Sequence, residues 1–236
     1  MVSPTKHEQS RGERDIDLEN EFRDILLKAA GQMGLTLTDS QITLFETYRE
    51  TLLLWNTRMN LVSLQSELDL PVRHFIDSLT LLPHVPPGTG TILDIGSGAG
   101  FPAIPIKIVR TDLHVTLLEA SRKKSSFLKE VIRKLGLQGI AVLNCRLEEL
   151  LKKDHKPTFD LIVSRATLKL PDLLAQGLPL LKQGGVMAAM KGPGLEEETA
   201  ALDYLKNKSF RIVANYPLSL PLTGDRRNIL LVDNPR

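Results

Sequence analysis

The sequence predicts an α/β protein: a seven-stranded, mostly parallel sheet with helices on both faces, behind a helical N-terminal extension. Two observations carry this reading. Beyond Gly90, short apolar runs rich in β-branched residues alternate with helical stretches, the pattern of βαβ units buried on both faces. Before the Pro86-Pro87-Gly88 cluster, apolar residues recur only at helical spacing. The length of 236 residues suits one α/β domain and a small addition. The expected division is a tail over 1–18, a helical extension over 19–88 and a ligand-binding α/β domain over 89–236.

The elements follow in order. Residues 1–18 are polar, charged and aperiodic, and are expected to form a disordered tail. From Glu19 the pattern turns helical, with Phe22, Ile25, Leu26 and Ala29 on one face and Gly31 or Gly34 as the stop. Thr38 or Asp39 offers a cap for a second helix to about Trp55, with Ile42, Phe45, Leu52 and Leu53 inward. Asn60 and Ser63 read as turn formers before a third helix from about Glu67 to Leu82. Strands are expected over 91–95, 114–119, 140–144, 159–164, 185–191, 211–216 and 228–232. Helices are expected near 101–110, 122–136, 147–153, 170–182 and 195–207. The last two strands lack a helix between them, so one antiparallel strand should close the sheet.

Composition narrows the class. Hydrophobic residues make up 42% and charged residues 25%, ordinary for a chain with a sizeable core. No apolar run approaches the length of a membrane span, and the N-terminus lacks the apolar core of a secretory signal. The single cysteine, Cys145, excludes an internal disulfide and a multi-cysteine metal site. The expectation is a cytoplasmic protein without a metal. Residues 1–28 carry a balance of −2 within a net charge of +2, so the remainder carries +4. That suits an anionic partner without requiring one.

The first strand runs into Asp94-Ile95-Gly96-Ser97-Gly98-Ala99-Gly100-Phe101. A glycine-rich turn from strand to helix lets a ligand approach the backbone closely, or serves only to pack a tight turn. A pyrophosphate-binding turn would be G-x-G-x-x-G, but Phe101 occupies the third glycine position. Asp94, two residues before Gly96, suits a ligand without phosphate and with a cationic amino-acid part, for which S-adenosylmethionine is the obvious candidate. Glu119 ends the second strand, where a carboxylate reaches both ribose hydroxyls of an adenosine or caps the helix beyond Ser121. After the third strand, the Leu147 backbone and the Glu148 carboxylate are placed to read an adenine edge. Glu148 and Glu149 serve equally well as acids at a helix N-terminus.

The fourth strand exits into Ser164-Arg165-Ala166. Methylation of an exocyclic amine calls for Asn/Asp-Pro-Pro-aromatic there. Methylation at pyrimidine carbon 5 needs a cysteine nucleophile, and Cys145, expected to be a small buried residue, stands on the wrong side. Ring nitrogens and hydroxyls remain. Guanine N7 has a free lone pair and needs no general base, so catalysis there reduces to positioning. Arg165 is placed to donate to guanine O6, to bind a phosphate or the cofactor carboxylate, or to cap strand carbonyls.

Several strings together are similar to one family, the glucose-inhibited division protein B family of rRNA methyltransferases: WNTRMNLVS (55–63), VRHFIDSL (72–79), LDIGSGAGFPAIPIKI (93–108), TLLEASRKKSSFLKEV (116–131), SRATLKLPDLL (164–174), MKGPG (190–194) and TGDRRNILLV (223–232). The resemblance implies a Rossmann-like class I methyltransferase fold. It also implies methyl transfer from S-adenosylmethionine to N7 of a guanosine in the decoding-region loop of 16S rRNA. It carries cofactor contacts onto Gly96, Phe101, Leu147, Glu148 and Arg165, and matches Glu119 to the family's acid at the tip of strand two. With Asp94 and Gly98 from the loop itself, these form the expected cofactor set, and Arg165 is the expected catalytic residue. Ala103 departs from a glycine common after the Phe-Pro pair. Arg73, Lys191 and Arg227 are the expected RNA contacts, ahead of Arg122, Lys123 and Lys124. His74 is not expected to act as a base. The expected partner is 16S rRNA or the small ribosomal subunit, with no membrane and a monomeric chain. A methyltransferase of another substrate and a nonenzymatic RNA-binding assembly factor are the competing readings.

Overall fold

The computed structural model describes residues 20–66, 68–152, 157–165, 168–200 and 210–233. The expected tail over 1–18 and the end of the expected helix over 195–207 lie outside the described residues.

Helix α1 covers residues 20–32 and buries Phe22, Leu26, Ala29 and Ala30. Gly34, at φ +71°, reverses the chain, and the Leu35 amide returns to the Ala30 carbonyl. Thr38 then caps α2 (Asp39–Asn56) in a capping box with Gln41. Ile42, Phe45, Tyr48 and Leu52 point inward from α2, as helical spacing requires. The turn that follows is organised by Asn56, not by Asn60 and Ser63. Asn56 Oδ1 accepts from the Leu61 and Val62 amides, and Nδ2 donates to the Val62 carbonyl. The third helix, α3, is shorter than expected and irregular. It is π-helical over Asp69–Ile76 and α-helical over Asp77–Leu79, with the Arg73 amide reaching five residues back to Leu68. A short 3₁₀ turn, Leu82–His84, ends the section.

The sheet contains β1 (Thr91–Ile95), β2 (His114–Leu118), β3 (Ile140–Leu143), β4 (Phe159–Arg165), β5 (Leu181–Lys191), β6 (Arg211–Ser219) and β7 (Arg226–Asp233). Their order is β3-β2-β1-β4-β5-β7-β6, with β7 antiparallel to both neighbours and every other pair parallel. Helices α4 (Ala103–Val109), α5 (Arg122–Leu135), α6 (Leu147–Lys152), α7 (Leu170–Gly177) and α8 (Leu195–Ala200) connect or flank them. Strands β5 and β6 extend beyond their expected apolar cores. Helix α7 stops early because Leu178–Leu180 tightens into a 3₁₀ turn and Leu181 already pairs with Phe159.

Alternate strand residues feed opposite faces. Ile92, Leu161, Val163, Ala188, Ile229 and Leu231 pack with α4, α5 and the extension. Leu93, Ile162, Met187, Ala189, Leu230 and Val232 pack with α6, α7 and α8. The extension and the first face therefore share one core. Its centre is Phe75, whose ring is met edge-on by Phe22, Phe45, Tyr48 and Phe101 at centroid distances of 5.2–5.6 Å. Such pairs add about 0.5–1.5 kcal/mol each beyond area burial. The cluster also ties α2 and α3 to the glycine loop, because Phe101 belongs to that loop.

The order reverses direction between β1 and β4, whose carboxyl ends open a crevice at the switch point, where α/β sheets bind ligands.

Candidate active site

Gly96, Gly98 and Gly100 all take positive φ between β1 and α4, a left-handed run that side chains resist. A Cβ on Gly100 would lie 2.5 Å from both the Tyr48 hydroxyl and Ile104 Cδ1. Tyr48 reaches the loop from α2 and donates a short hydrogen bond to the Ala99 carbonyl. Burial raises its phenol well above the ordinary tyrosine range, so it stays a neutral donor. The Gly96 and Ser97 amides are held by the Leu118 carbonyl of β2.

Glu119 is buried at the tip of β2. Its Oε2 accepts from the Gly98 amide at 2.9 Å and its Oε1 from the Ser121 amide at 2.8 Å. It thus braces the glycine loop and the start of α5, with two of about four lone-pair sites still available. Asp94 is fully buried, and neither carboxylate oxygen has a hydrogen-bond partner at ordinary geometry. Burial pushes it up to about 8, against smaller pulls from the Ala103 amide, the Ser97 hydroxyl and Arg165. A buried, unpartnered carboxyl beside a glycine turn is suited to receive a cationic donor.

Gly96, Gly98, Phe101, Glu119, Lys124 and Arg165 help line a cavity of about 580 Å³ at this crevice. Five of the expected cofactor residues thus meet in one place, and Asp94 lies two residues before Gly96 on β1. Leu147 and Glu148 are not among the lining residues. The Leu147 side chain is spent in the core of the second face, and Glu148 is exposed on α6. Cys145, expected to be buried, is only half-buried and packs against that same core.

Arg165 closes one side of the cavity. Its Nη1 donates to the Arg73 carbonyl at 3.1 Å and to Asp77 Oδ2 at 3.2 Å, and its Nη2 to His74 Nδ1 at 3.0 Å. Its guanidinium lies 5.0 Å from the Phe101 ring centroid. Because arginine only donates, His74 Nδ1 accepts and the imidazole proton sits on Nε2. Burial, then the Arg165 charge, lowers His74 to about 3. The imidazole is neutral at physiological pH, and its only lone pair is already engaged. A general-base role is therefore closed to it.

A second cavity of about 410 Å³ shares Ser63, His74 and Arg165 with the first. Arg73, Lys191 and Arg227 all line it. None is an unpaired surface cation. Arg73 joins Asp69 and Asp225, Arg227 Nε meets Asp77 Oδ2 at 3.3 Å, and Lys191 Nζ donates to the Leu168 carbonyl. Burial would raise Asp69, but the Gln65 amide, Arg73 and the Ser66 amide outweigh it and hold it at about 2. Cations and carboxylates thus alternate around this cavity. Sequence reasoning missed Asp69, Asp77 and Tyr48. Asp77 stood inside the string RHFIDSL, three residues after His74 on one helical face. Tyr48 lies a helical turn from Phe45 and Leu52, and nothing in the sequence sets it apart from a core residue.

A seven-stranded sheet in this order, with a glycine loop after β1 and an acid at the tip of β2, defines a class I, S-adenosylmethionine-dependent methyltransferase. A family model for rRNA small subunit methyltransferase G, GidB, matches residues 41–225. The chain is 45% identical over 207 residues to the ribosomal RNA small subunit methyltransferase G of Syntrophus aciditrophicus, covering 86% of each chain. It is 41% identical over 212 residues to that of Geotalea uraniireducens, covering 89% of this chain and 96% of the relative. This chain belongs to the rRNA small subunit methyltransferase G family. Among solved structures, M. jannaschii TYW2 in complex with AdoMet superposes with a TM-score of 0.50 at 13% identity, over 67% of this chain and 76% of that one. That likeness is one of fold. No helix among the described residues is long and apolar enough to cross a membrane.

Proposed function

We propose that this chain methylates N7 of a guanosine in 16S rRNA, with the cofactor in the 580 Å³ cavity and the acceptor base in the 410 Å³ cavity beside it. The observation that carries this reading is their common wall, in which Arg165 faces both. S-adenosylmethionine, when bound, supplies an electrophilic sulfonium methyl group. The chain's own residues fit that ligand: Glu119 keeps two acceptor sites for ribose hydroxyls, and Asp94 offers its unpartnered oxygens to the ammonium. Gly96 and Gly98 leave room for the backbone to approach. Phe101 and Arg165 would border the bound cofactor.

The acceptor side needs no proton transfer. Guanine N7 attacks with its own lone pair, and no proton leaves it. His74, beside Arg165, is not available as a base, since it spends its lone pair on that guanidinium. Arg165 then positions the base by donating to O6, and Asp77, held against Arg165 and Arg227, balances the cationic product. Arg73, Lys191 and Arg227 border the acceptor cavity and favour the anionic backbone of RNA.

The test uses labelled S-adenosylmethionine with small-subunit particles and with bare 16S rRNA, both from cells lacking this protein. Digestion and mass spectrometry identify the product nucleoside. The expected product is 7-methylguanosine, lost in Arg165→Ala and Asp94→Ala while both variants remain folded. Another methylated nucleoside, or full activity in both variants, would refute the assignment.

A further inference from the structure

We propose that Asp77 reads the Watson–Crick edge of the acceptor base, accepting from N1–H of guanine and so excluding adenine. This rests on the N7-guanosine reading above. Asp77 lines the acceptor cavity and is buried, with a side chain 5% exposed. Its Oδ2 is claimed twice, by Arg165 Nη1 at 3.2 Å and by Arg227 Nε at 3.3 Å. Its Oδ1 is buried with no hydrogen-bond partner. A carboxylate built only to hold two guanidiniums would turn both oxygens to them, as bidentate pairs do. Here one oxygen is left over, unsatisfied until a donor arrives.

The neighbours say which donor fits. A guanidinium beside a carboxylate presents a donor next to an acceptor. Guanine presents the complement on adjacent positions, the O6 acceptor and the N1–H donor. Adenine reverses both, with an amine donor at position 6 and an acceptor at N1. An adenine placed here would set its amine against a guanidinium and its N1 lone pair against the Asp77 carboxylate. Two repulsive contacts in a buried site discriminate far more strongly than one missing contact. The other carboxylate lining the cavity is spent: Asp69 takes the Gln65 and Ser66 amides and Arg73. Asn228 Oδ1 takes the Asn215 amide. A base splayed from a single-stranded RNA loop exposes this edge, which a paired base does not.

The experiment places single analogues at the methylated position of 16S rRNA, by ligation, and compares kcat/KM in the better of the two substrate forms. Inosine keeps O6 and N1–H and loses only the 2-amino group. 1-Methylguanosine keeps O6, N7 and the amine but cannot donate from N1. For the wild-type enzyme, inosine should be methylated within about tenfold of guanosine, and 1-methylguanosine should fall by about 10–100-fold, the range for a hydrogen bond to a charged group. In Asp77→Asn the preference for guanosine over 1-methylguanosine should shrink at least tenfold, with S-adenosylhomocysteine binding confirming the folded cofactor site. A merely structural Asp77 would lower both rates and leave their ratio alone. Equal wild-type rates on guanosine and 1-methylguanosine would overturn the inference even if Asp77→Asn failed to fold, and an unchanged ratio in the variant would also overturn it. In both cases 7-methylguanosine still forms from the native base, so the N7 reading stands. Absence of 7-methylguanosine from the native base would overturn both.

Discussion

Cofactor binding should release a proton at neutral pH. Complete burial holds Asp94 at about 8, so at pH 7 roughly nine-tenths of the free protein carries it as the neutral acid. S-adenosylhomocysteine has the same amino-acid portion as the cofactor, and its amine, beside its own carboxylate, titrates well above a peptide's α-amino group. It arrives as the ammonium, which drives Asp94 to the carboxylate. Binding then releases roughly 0.9 proton, all of it from Asp94. Apparent affinity should fall about tenfold per unit as pH drops below about 7. Titration calorimetry at pH 7 in buffers of differing ionisation enthalpy measures the proton count directly. Asp94→Asn, nearly the same shape and not titratable, should release no proton and lose the acid-side dependence. A wild-type slope of zero, with Kd flat between pH 6 and 8, would refute the pairing of Asp94 with the ligand ammonium.

Three further outcomes follow from the same geometry. Tyr48→Phe leaves the buried Ala99 carbonyl without its donor, so we expect a loss of about 1–3 kcal/mol in urea unfolding and weaker S-adenosylhomocysteine binding; unchanged values in both would show that the hydroxyl does not brace the loop. Gly100→Ala, at φ +91° and 2.5 Å from Tyr48 and Ile104, should cost more than Gly34→Ala, which meets nothing within 4 Å although both lie at positive φ; thermal midpoints decide. His74 and Asp94 pull the stability of the ligand-free protein in opposite directions with pH. The lowered His74 binds fewer protons folded than unfolded, so its contribution is complete above pH 6.5 and drains as pH falls toward 3. The raised Asp94 binds more when folded, so its contribution is complete below about pH 4 and drains as pH rises through 8. Urea midpoints should therefore decline from pH 6.5 to 8.5 in the wild type and stay level in Asp94→Asn.

The sheet was legible because its signals are local. Each strand holds a short apolar run, most of them rich in β-branched residues, and β1 begins at Thr91 and ends at Ile95 as the apolar pattern requires. The residues gathered at the glycine loop were legible for the same reason, since Asp94, Gly96, Gly98 and Phe101 are neighbours in sequence and Glu119 follows the next strand. What escaped depends on contacts between distant segments. Arg73 and Arg227 stand out as cations, yet only the fold brings Asp225 to the first and Asp77 to the second. Nothing at Tyr48 distinguishes a core tyrosine from one that holds the glycine loop 51 residues away. At Leu147 the apolar side chain at the start of α6 is claimed by the core, and the backbone, the group expected to read an adenine edge, is what it keeps to offer.

The extension has a physical purpose that the sheet alone does not explain. In the proposed arrangement the donor side comes from β1, β2 and the loops that follow them. The proposed acceptor side draws much of its lining from α3: Asp69, Arg73, His74 and Asp77 all border the second cavity. On a regular helix, at about 100° per residue, these four would spread over an arc of roughly 140°. A π-helical stretch widens the turn and alters that phase, and α3 is π-helical over Asp69–Ile76, where three of the four reside. Straightening it, for example by deleting one residue between Asp69 and Arg73, should leave the cofactor cavity able to bind S-adenosylhomocysteine while methylation is lost. Loss of both together would mean that the bulge serves the fold and not the acceptor.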